Sequence, residues 1–516
     1  MRSPVSAKDP VRRGTVQSAV WQGFAGSVML LLGSLGVGWL ASSSSLIRTT
    51  LLIVARTTPA AVIISTVLVC LGALLMIRAW VRLYQHLRGW DASSTPVLRK
   101  ALILWTAPLM LALPLFSRDS YAYIGQGRLM QQGLDPYTNG ISALSNYFLL
   151  GPDGLWTEAP TPYGPIWLWI EQGAVALAHG SPELTLIPFR LASLLGVVLL
   201  AIYVPRIAEL HGFNPHRTLW LVVLNPAVLI NFVGSVHNDS LMLGLVVAGL
   251  YYACVKHPVV GILFITASVA IKPITLIALP FVGLLWAGSQ AGWVRKFGLW
   301  AATLGISMGV MAVMGVVNGL GFGWLAALKT PGTVWIWYAP VGLLSNTVGF
   351  VVTLLGGAGA AVTSVIQTIG QGASILLVAA IAFWPVRPAG PMADPDVEQR
   401  YGQAVLRRMA WAFAAVVLLA PMIQPWYMTW LLAFFAVTGL KDGWQLRTVS
   451  YLTVFFTLIA LTDQLSVFQW IPIGIIRAVA IVVGVLAAFW VMFWDKKSRD
   501  MFVTLKGAGK TAAVHA

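Results

Sequence analysis

Apolar runs of 16 to 24 residues recur from one end of this 516-residue chain to the other. A helix needs about 20 residues to cross the hydrocarbon core of a bilayer. Inside lipid every backbone N–H and C=O must find a partner within the protein, so runs of this kind fold as helices. Charged residues make up only 10% of the chain, against roughly 25% in soluble domains, too few to build a water-facing surface of ordinary size. A soluble multidomain enzyme, a disordered chain and a fibrous protein are excluded. The chain reads as an all-α polytopic membrane protein.

Fourteen stretches qualify as spans: 23–41, 60–80, 101–116, 183–205, 218–235, 239–255, 258–271, 274–291, 297–317, 362–385, 409–423, 427–440, 448–463 and 471–494. Two further apolar stretches, 164–179 and 341–358, are left out as crossings, the first because Trp167, Trp169 and the mid-run Glu171 suit an interfacial helix. With both termini cytoplasmic, 25 of the 33 Lys and Arg fall inside, and only Arg48, Arg56, Arg118, Arg128, Arg190, Lys272, Lys329 and Arg477 fall outside. That asymmetry follows the positive-inside rule, which also accounts for the net charge of +16 without nucleic acid. The first apolar run is not closed by a small-residue cleavage site, so it reads as a retained span. Cys70 and Cys254 both lie in apolar runs and offer neither a disulfide framework nor metal-ligand spacing.

The layout implies an N-terminal region of two spans (1–100), a core (101–385) with outer loops 117–182 and 318–345, a linker (386–408), a four-span module (409–495) and a basic tail (496–516). Loop 117–182 is dense in Gly, Pro, Asn and aromatics, so it is expected to fold with short helices.

Ionisable groups near a bilayer are costly, and each marks a candidate site. Four clusters fall at the outer face. Phe116-Ser117-Arg118-Asp119-Ser120-Tyr121-Ala122-Tyr123 offers Asp119 as a general base at the membrane edge, or as a helix N-cap, with Tyr121 and Tyr123 as flat faces for a sugar or as belt aromatics. Ser235-Val236-His237-Asn238-Asp239-Ser240 is a polar turn between spans; Asn238 and Asp239 suit a cap as well as a contact, and His237 could reach a sugar or a phosphate. Ala270-Ile271-Lys272-Pro273 puts one ammonium at a helix break, a partner for a lipid phosphate or a snorkelling side chain. Gln424-Pro425-Trp426-Tyr427 is a broken helix that also fits an aromatic belt, and the turns around Tyr137 and Tyr163 fit structure and ligand contact equally. The sequence has no P-loop, no nucleotide-binding Gly-rich turn and no CxxC pair. An energy-rich donor would therefore arrive within the membrane.

Together FSRDSYAYIGQGRLMQQGLDPYTNG (116–140), PTPYGPIW (160–167), GSVHNDSLMLG (234–244), AIKP (270–273) and QPWY (424–427) resemble the GT-C superfamily of polyprenyl-phosphate-sugar-dependent glycosyltransferases. More narrowly, the chain is similar to the actinobacterial α-(1→6)-mannopyranosyltransferases of the lipomannan and lipoarabinomannan backbone. The resemblance implies a GT-C helical bundle with a long extracytoplasmic catalytic loop and an inverting transfer, at the outer face of the plasma membrane. Mannose would pass from polyprenyl-phosphate mannose to the 6-hydroxyl of a lipid-anchored mannan, with no metal or cofactor. Asp119 takes the part of the base by that resemblance. Lys272 comes first for the donor phosphate, with His237 and Arg128 second; Tyr121, Tyr123, Asn238, Asp239, Tyr163 and Trp335 are candidates for sugar or acceptor. Two departures stand out: two extra spans precede the loop, and Asp119 has no acidic neighbour. Other readings are a protein O-mannosyl- or arabinosyltransferase on the same fold, or a lipid-linked sugar transporter or flippase. Transporters keep their sites near the midplane, which disfavours the last.

Overall fold

A computed structural model of the chain describes residues 10–87, 89–328, 335–386, 396–463, 465–468 and 470–503. Lys329, residues 387–395 of the expected linker and residues 504–516 of the expected tail lie outside the described residues. Those described are helical, with no strand among them. Each of the fourteen expected stretches carries a helix. By length and composition eight described helices can cross a membrane, nine if the pair Pro215–Val222 and Pro226–Gly234, bent by 52°, counts as one. The others are shorter, several of them bounded by Pro226, Pro273 or Pro425, where a missing N–H and a steric clash interrupt the ladder. The stretch left out at 341–358 is also a helix, Pro340–Leu354, of 15 residues.

The helices gather into two compact units whose boundaries interleave along the chain. The first takes its described residues from Met1–Arg118, His216–Val236 and Leu440–Ala516. The four-span block expected at the C-terminus is therefore divided: Trp444–Asp463 and Ile473–Phe489 belong to this unit, while the two helices before them do not. In its core Trp80 and Trp220 stack at 4.5 Å, and each indole N–H donates to the other residue's carbonyl, at 3.0 and 2.9 Å. Two aromatic rings are thereby buried with their polar handles satisfied.

The second unit comprises Asp119–Pro215 and His237–Gly439 and contains the candidate site. Eight of its helices matter below: α1 (Asp119–Gln131), α2 (Pro165–Leu177), α3 (Pro182–Leu210), α4 (Asp239–Cys254), α5 (Pro258–Val269), α6 (Leu279–Ala287), α7 (Val397–Leu419) and α8 (Tyr427–Ala436). As expected of loop 117–182, it folds with short helices, α1 and α2 among them. Close approach through small residues fixes α3 against α4: a Cβ on Gly196 would meet the Ser240 backbone at 2.2 Å. Ser240 Oγ donates to the Ser193 carbonyl at 2.6 Å and Ser193 Oγ to the His237 carbonyl at 3.1 Å, so the start of α4 is pinned to α3.

Candidate active site

Asp119 opens α1, where a carboxylate is favoured by the partial positive charge of the helix N-terminus. Each residue of an α-helix turns about 100°, so Asp119, Ala122 and Gln126 lie along one face. These three line a cavity with about 640 Å³ of empty space, part of it open to solvent. Its other walls come from Trp156, from the 159–163 segment ending in Tyr163, from Lys272, and from Met422, Gln424, Trp426 and Tyr427 before and at the start of α8.

Lys272 sits where α5 ends and Pro273 begins the 3₁₀ turn leading to α6. Its ammonium pairs with both oxygens of Asp239, at 2.9 and 3.0 Å. The rings of Tyr163, Tyr427 and Trp430 surround it, their centroids 6.0, 5.4 and 5.3 Å away. Their π-faces favour a cation, and the pair with Asp239 offsets the cost of holding that charge at low exposure. An ammonium has three donors, so Lys272 can hold Asp239 and still offer a hydrogen bond to the cavity it lines.

The position of Lys272 depends on a backbone splice. Gly164 N–H donates to the Ile271 carbonyl at 2.9 Å, and Ile166 and Trp167 N–H donate to the Ala270 carbonyl at 2.8 and 3.1 Å. The PTPYGPIW and AIKP segments are thereby joined edge to edge. A Cβ on Gly164 would fall 2.6 Å from the Ala270 backbone, so no other residue fits without separating them. Gly164→Ala is expected to destabilise the protein by about 1–3 kcal/mol, the usual cost of overpacking. Thermal unfolding in detergent checks this; an unchanged midpoint would show that the splice gives way freely. Tyr137 reinforces the segment, its hydroxyl donating to the Tyr163 carbonyl at 3.0 Å.

His237 is fully buried. Its Nδ1 lies 3.3 Å from Asp119 Oδ2, and its ring packs on Trp426 with centroids 3.8 Å apart. The contact to Asp119 is long, as catalytic contacts often are before substrate binds. Val236, just before it, has φ of 62°, and Phe116, three residues before Asp119, has the same value. A left-handed backbone at a bulky or β-branched residue costs of order 1–3 kcal/mol, and such strain clusters at functional sites. If His237 orients Asp119, His237→Asn keeps an N–H near the Nδ1 position and His237→Phe does not. The expected result is kcat lowered by about 10- to 100-fold in the Phe variant, the worth of one hydrogen bond to a charged group, with KM little changed and most activity restored in the Asn variant. Equal losses in both would remove the orienting role.

The remaining candidates separate clearly. Asp239 is 1% exposed and holds Lys272, so it is not open to a sugar. Asn238 is buried, its N–H donating to the Tyr123 hydroxyl at 3.4 Å. Tyr123 is buried edge-on against Tyr163, Trp167 and Phe189, and Tyr121 is buried near Arg190. Of the proposed aromatic faces only Tyr163 reaches the cavity; burial drives its phenol well above the usual range, so it stays protonated. Arg128 lies about 180° around α1 from Asp119 and donates to the Gly180 carbonyl at 3.3 Å, away from the cavity. His237 faces Asp119, so of the three phosphate candidates only Lys272 lines the cavity. Trp335 is 47% exposed and is not part of the cavity wall. Glu171 is fully buried in α2, desolvation pushes its carboxyl well above the ordinary value, and it does not line the cavity. No cluster of His, Cys, Asp and Glu able to hold a metal occurs among the described residues. Sequence reasoning missed Gln126, Trp156 and Trp430; the spacing of 119, 122 and 126 on one helix was the available signal for the first.

An all-α multi-pass membrane protein with one carboxylate and one aromatic-caged ammonium in a single cavity has the make-up of a membrane glycosyltransferase. The family model described as "Alpha-(1->6)-mannopyranosyltransferase, N-terminal domain" matches residues 20–288, and "MptB C-terminal domain" matches residues 338–489. The chain belongs to the alpha-(1->6)-mannopyranosyltransferase family. It is 32% identical to alpha-(1->6)-mannopyranosyltransferase A of Mycobacterium tuberculosis over 80% of this chain and 78% of the relative. It is 31% identical to alpha-(1->6)-mannopyranosyltransferase A of Corynebacterium glutamicum over 58% of this chain and 66% of that relative, and 26% identical to alpha-(1->6)-mannopyranosyltransferase B of the same organism over 76% and 68%. No solved structure matches the chain.

Proposed function

We propose that the protein is an inverting α-(1→6)-mannosyltransferase that takes mannose from polyprenyl-phosphate mannose and adds it to a lipid-anchored mannan at the outer membrane face. The observation that carries this reading is that Asp119 and Lys272 line the same cavity. Direct displacement at an anomeric carbon needs a base on the attacking hydroxyl and a cation on the departing phosphate, and the two groups supply them. The acceptor's 6-hydroxyl attacks C1 of the β-linked donor from the face opposite the phosphate. The C1–O6 bond forms as the C1–O bond to phosphate breaks, and the hydroxyl proton passes to Asp119. Lys272 holds the phosphate oxygen as it gains charge, an effect of several kcal/mol on the barrier in comparable sites. The family's printed activity supports the sugar and the linkage, and the bias of Lys and Arg along the sequence supports the outer face. The sequence carries no P-loop and no nucleotide-binding Gly-rich turn, which fits a donor delivered through lipid.

The test is transfer by the purified protein in nanodiscs, with radiolabelled polyprenyl-phosphate mannose and an alkyl α-mannoside. An α-(1→6) disaccharide, identified by NMR, is expected. Transfer from a nucleotide sugar in place of the lipid donor, or a β-linked product, would overturn the reading.

A further inference from the structure

Gln126 lines the cavity two helical turns from Asp119, is only 4% exposed, and its side-chain oxygen has no hydrogen-bond partner. Buried polar atoms are nearly always bonded, and an exception in a cavity wall points to a group that a ligand supplies. Between Asp119 and Gln126 the same wall carries Ala122, which leaves space above the helix. Trp156, half-buried on the short helix Gly154–Thr157, also lines the cavity, and among the described residues no aromatic ring contacts its indole.

The spacing sets a length. Seven residues of helix advance about 10.5 Å. With bonds of about 1.5 Å, a pyranose ring and its outward oxygens span about 5 Å, so the wall from Asp119 to Gln126 measures two hexoses. Resting on the function proposed above, we infer that the cavity holds a second, acceptor-side sugar subsite. The accepting sugar lies beside Ala122 with its hydroxyl at Asp119. The next sugar of the acceptor stacks on Trp156 and donates a hydroxyl hydrogen bond to Gln126. The enzyme thus reads its acceptor over two linked hexoses, not one.

Full-length protein in nanodiscs, given the lipid-phosphate donor, is compared on an alkyl α-mannoside and on the corresponding α-(1→6)-linked disaccharide. The wild type is expected to favour the disaccharide by about tenfold in kcat/KM, the scale of one added hydrogen bond. Gln126→Leu, which keeps the bulk and removes the acceptor atom, is expected to bring the ratio close to one. Trp156→Leu, on a short helix whose Gly154 and Leu155 are exposed, is expected to lower it at least threefold. Absence of a preference in the wild type, or an undiminished one in both variants, overturns the subsite. Binding of the two acceptors to the Asp119→Asn protein separates this from the reaction itself. Disaccharide binding about tenfold tighter, and dependent on Gln126, supports the subsite even if the donor is misassigned. Equal binding of both overturns it even if transfer occurs.

Discussion

Asp119→Asn is expected to lower transfer by about 10²–10⁴-fold, the range that general-base catalysis contributes, while leaving expression, thermal stability and donor binding close to wild type. Asn is nearly isosteric with Asp and gives up only the charge interaction with the helix N-terminus, about 0.3–1 kcal/mol, so the start of α1 keeps its form. What is lost is the proposed proton acceptor. Glu171 cannot substitute, because it is fully buried and does not line the cavity, and Asp239 cannot because Lys272 covers both of its oxygens. Asp119→Glu is instructive beside it. The carboxylate remains but advances by one bond, and misplacement on the order of 1 Å costs about 10²-fold in well-oriented reactions. Turnover measured with saturating donor checks both variants. An Asn variant with near-normal kcat would show that the proton goes elsewhere.

Lys272 calls for a paired experiment, because its proposed role at the donor phosphate sits beside its observed pairing with Asp239. Lys272→Ala removes the proposed partner of the donor phosphate and also leaves the Asp239 carboxylate, 1% exposed, without its counter-ion. Breaking a buried ion pair from one side costs about 3–5 kcal/mol. The single variant is therefore expected to be both inactive and poorly folded, which alone would prove little. Lys272→Met with Asp239→Asn replaces the pair by groups of similar volume that carry no charge. The double variant is expected to regain most of the lost thermal stability while transfer stays at least 10²-fold down. Recovery of activity along with stability would mean that the ammonium serves the fold alone.

Much of this was legible in the amino-acid order. The long apolar runs fixed the helical class, and the helices fall on the expected stretches, because in lipid a backbone has few other ways to satisfy itself. The clusters around Asp119, His237, Lys272 and Gln424 were visible as polar interruptions of those runs, and all four contribute to one region of the second unit. Their pairing was not visible. Nothing in the spacing says that Asp239 belongs to Lys272, 33 residues on, or that His237 faces Asp119, 118 residues back; such pairs depend on how α3, α4 and α5 pack. Arg128 illustrates the opposite case. Nine residues from Asp119 on one helix, it had to point away, and helical periodicity alone would have excluded it had the helix start been known. Aromatic residues misled for a related reason. Tyr121, Tyr123 and Trp335 looked alike as candidate sugar platforms, yet the first two are core and the third is exposed outside the cavity. A side chain's chemistry does not report its burial.

The central claim is that Asp119 and Lys272 act on one donor molecule from within one cavity. The most direct measurement is a structure of the protein in nanodiscs with a non-transferable polyprenyl-phosphate mannose analogue bound. The account predicts the phosphate in contact with Lys272 Nζ, the anomeric carbon turned toward Asp119, and the sugar between them. A phosphate bound away from Lys272, or a sugar whose anomeric carbon cannot be reached from the Asp119 side, would contradict it.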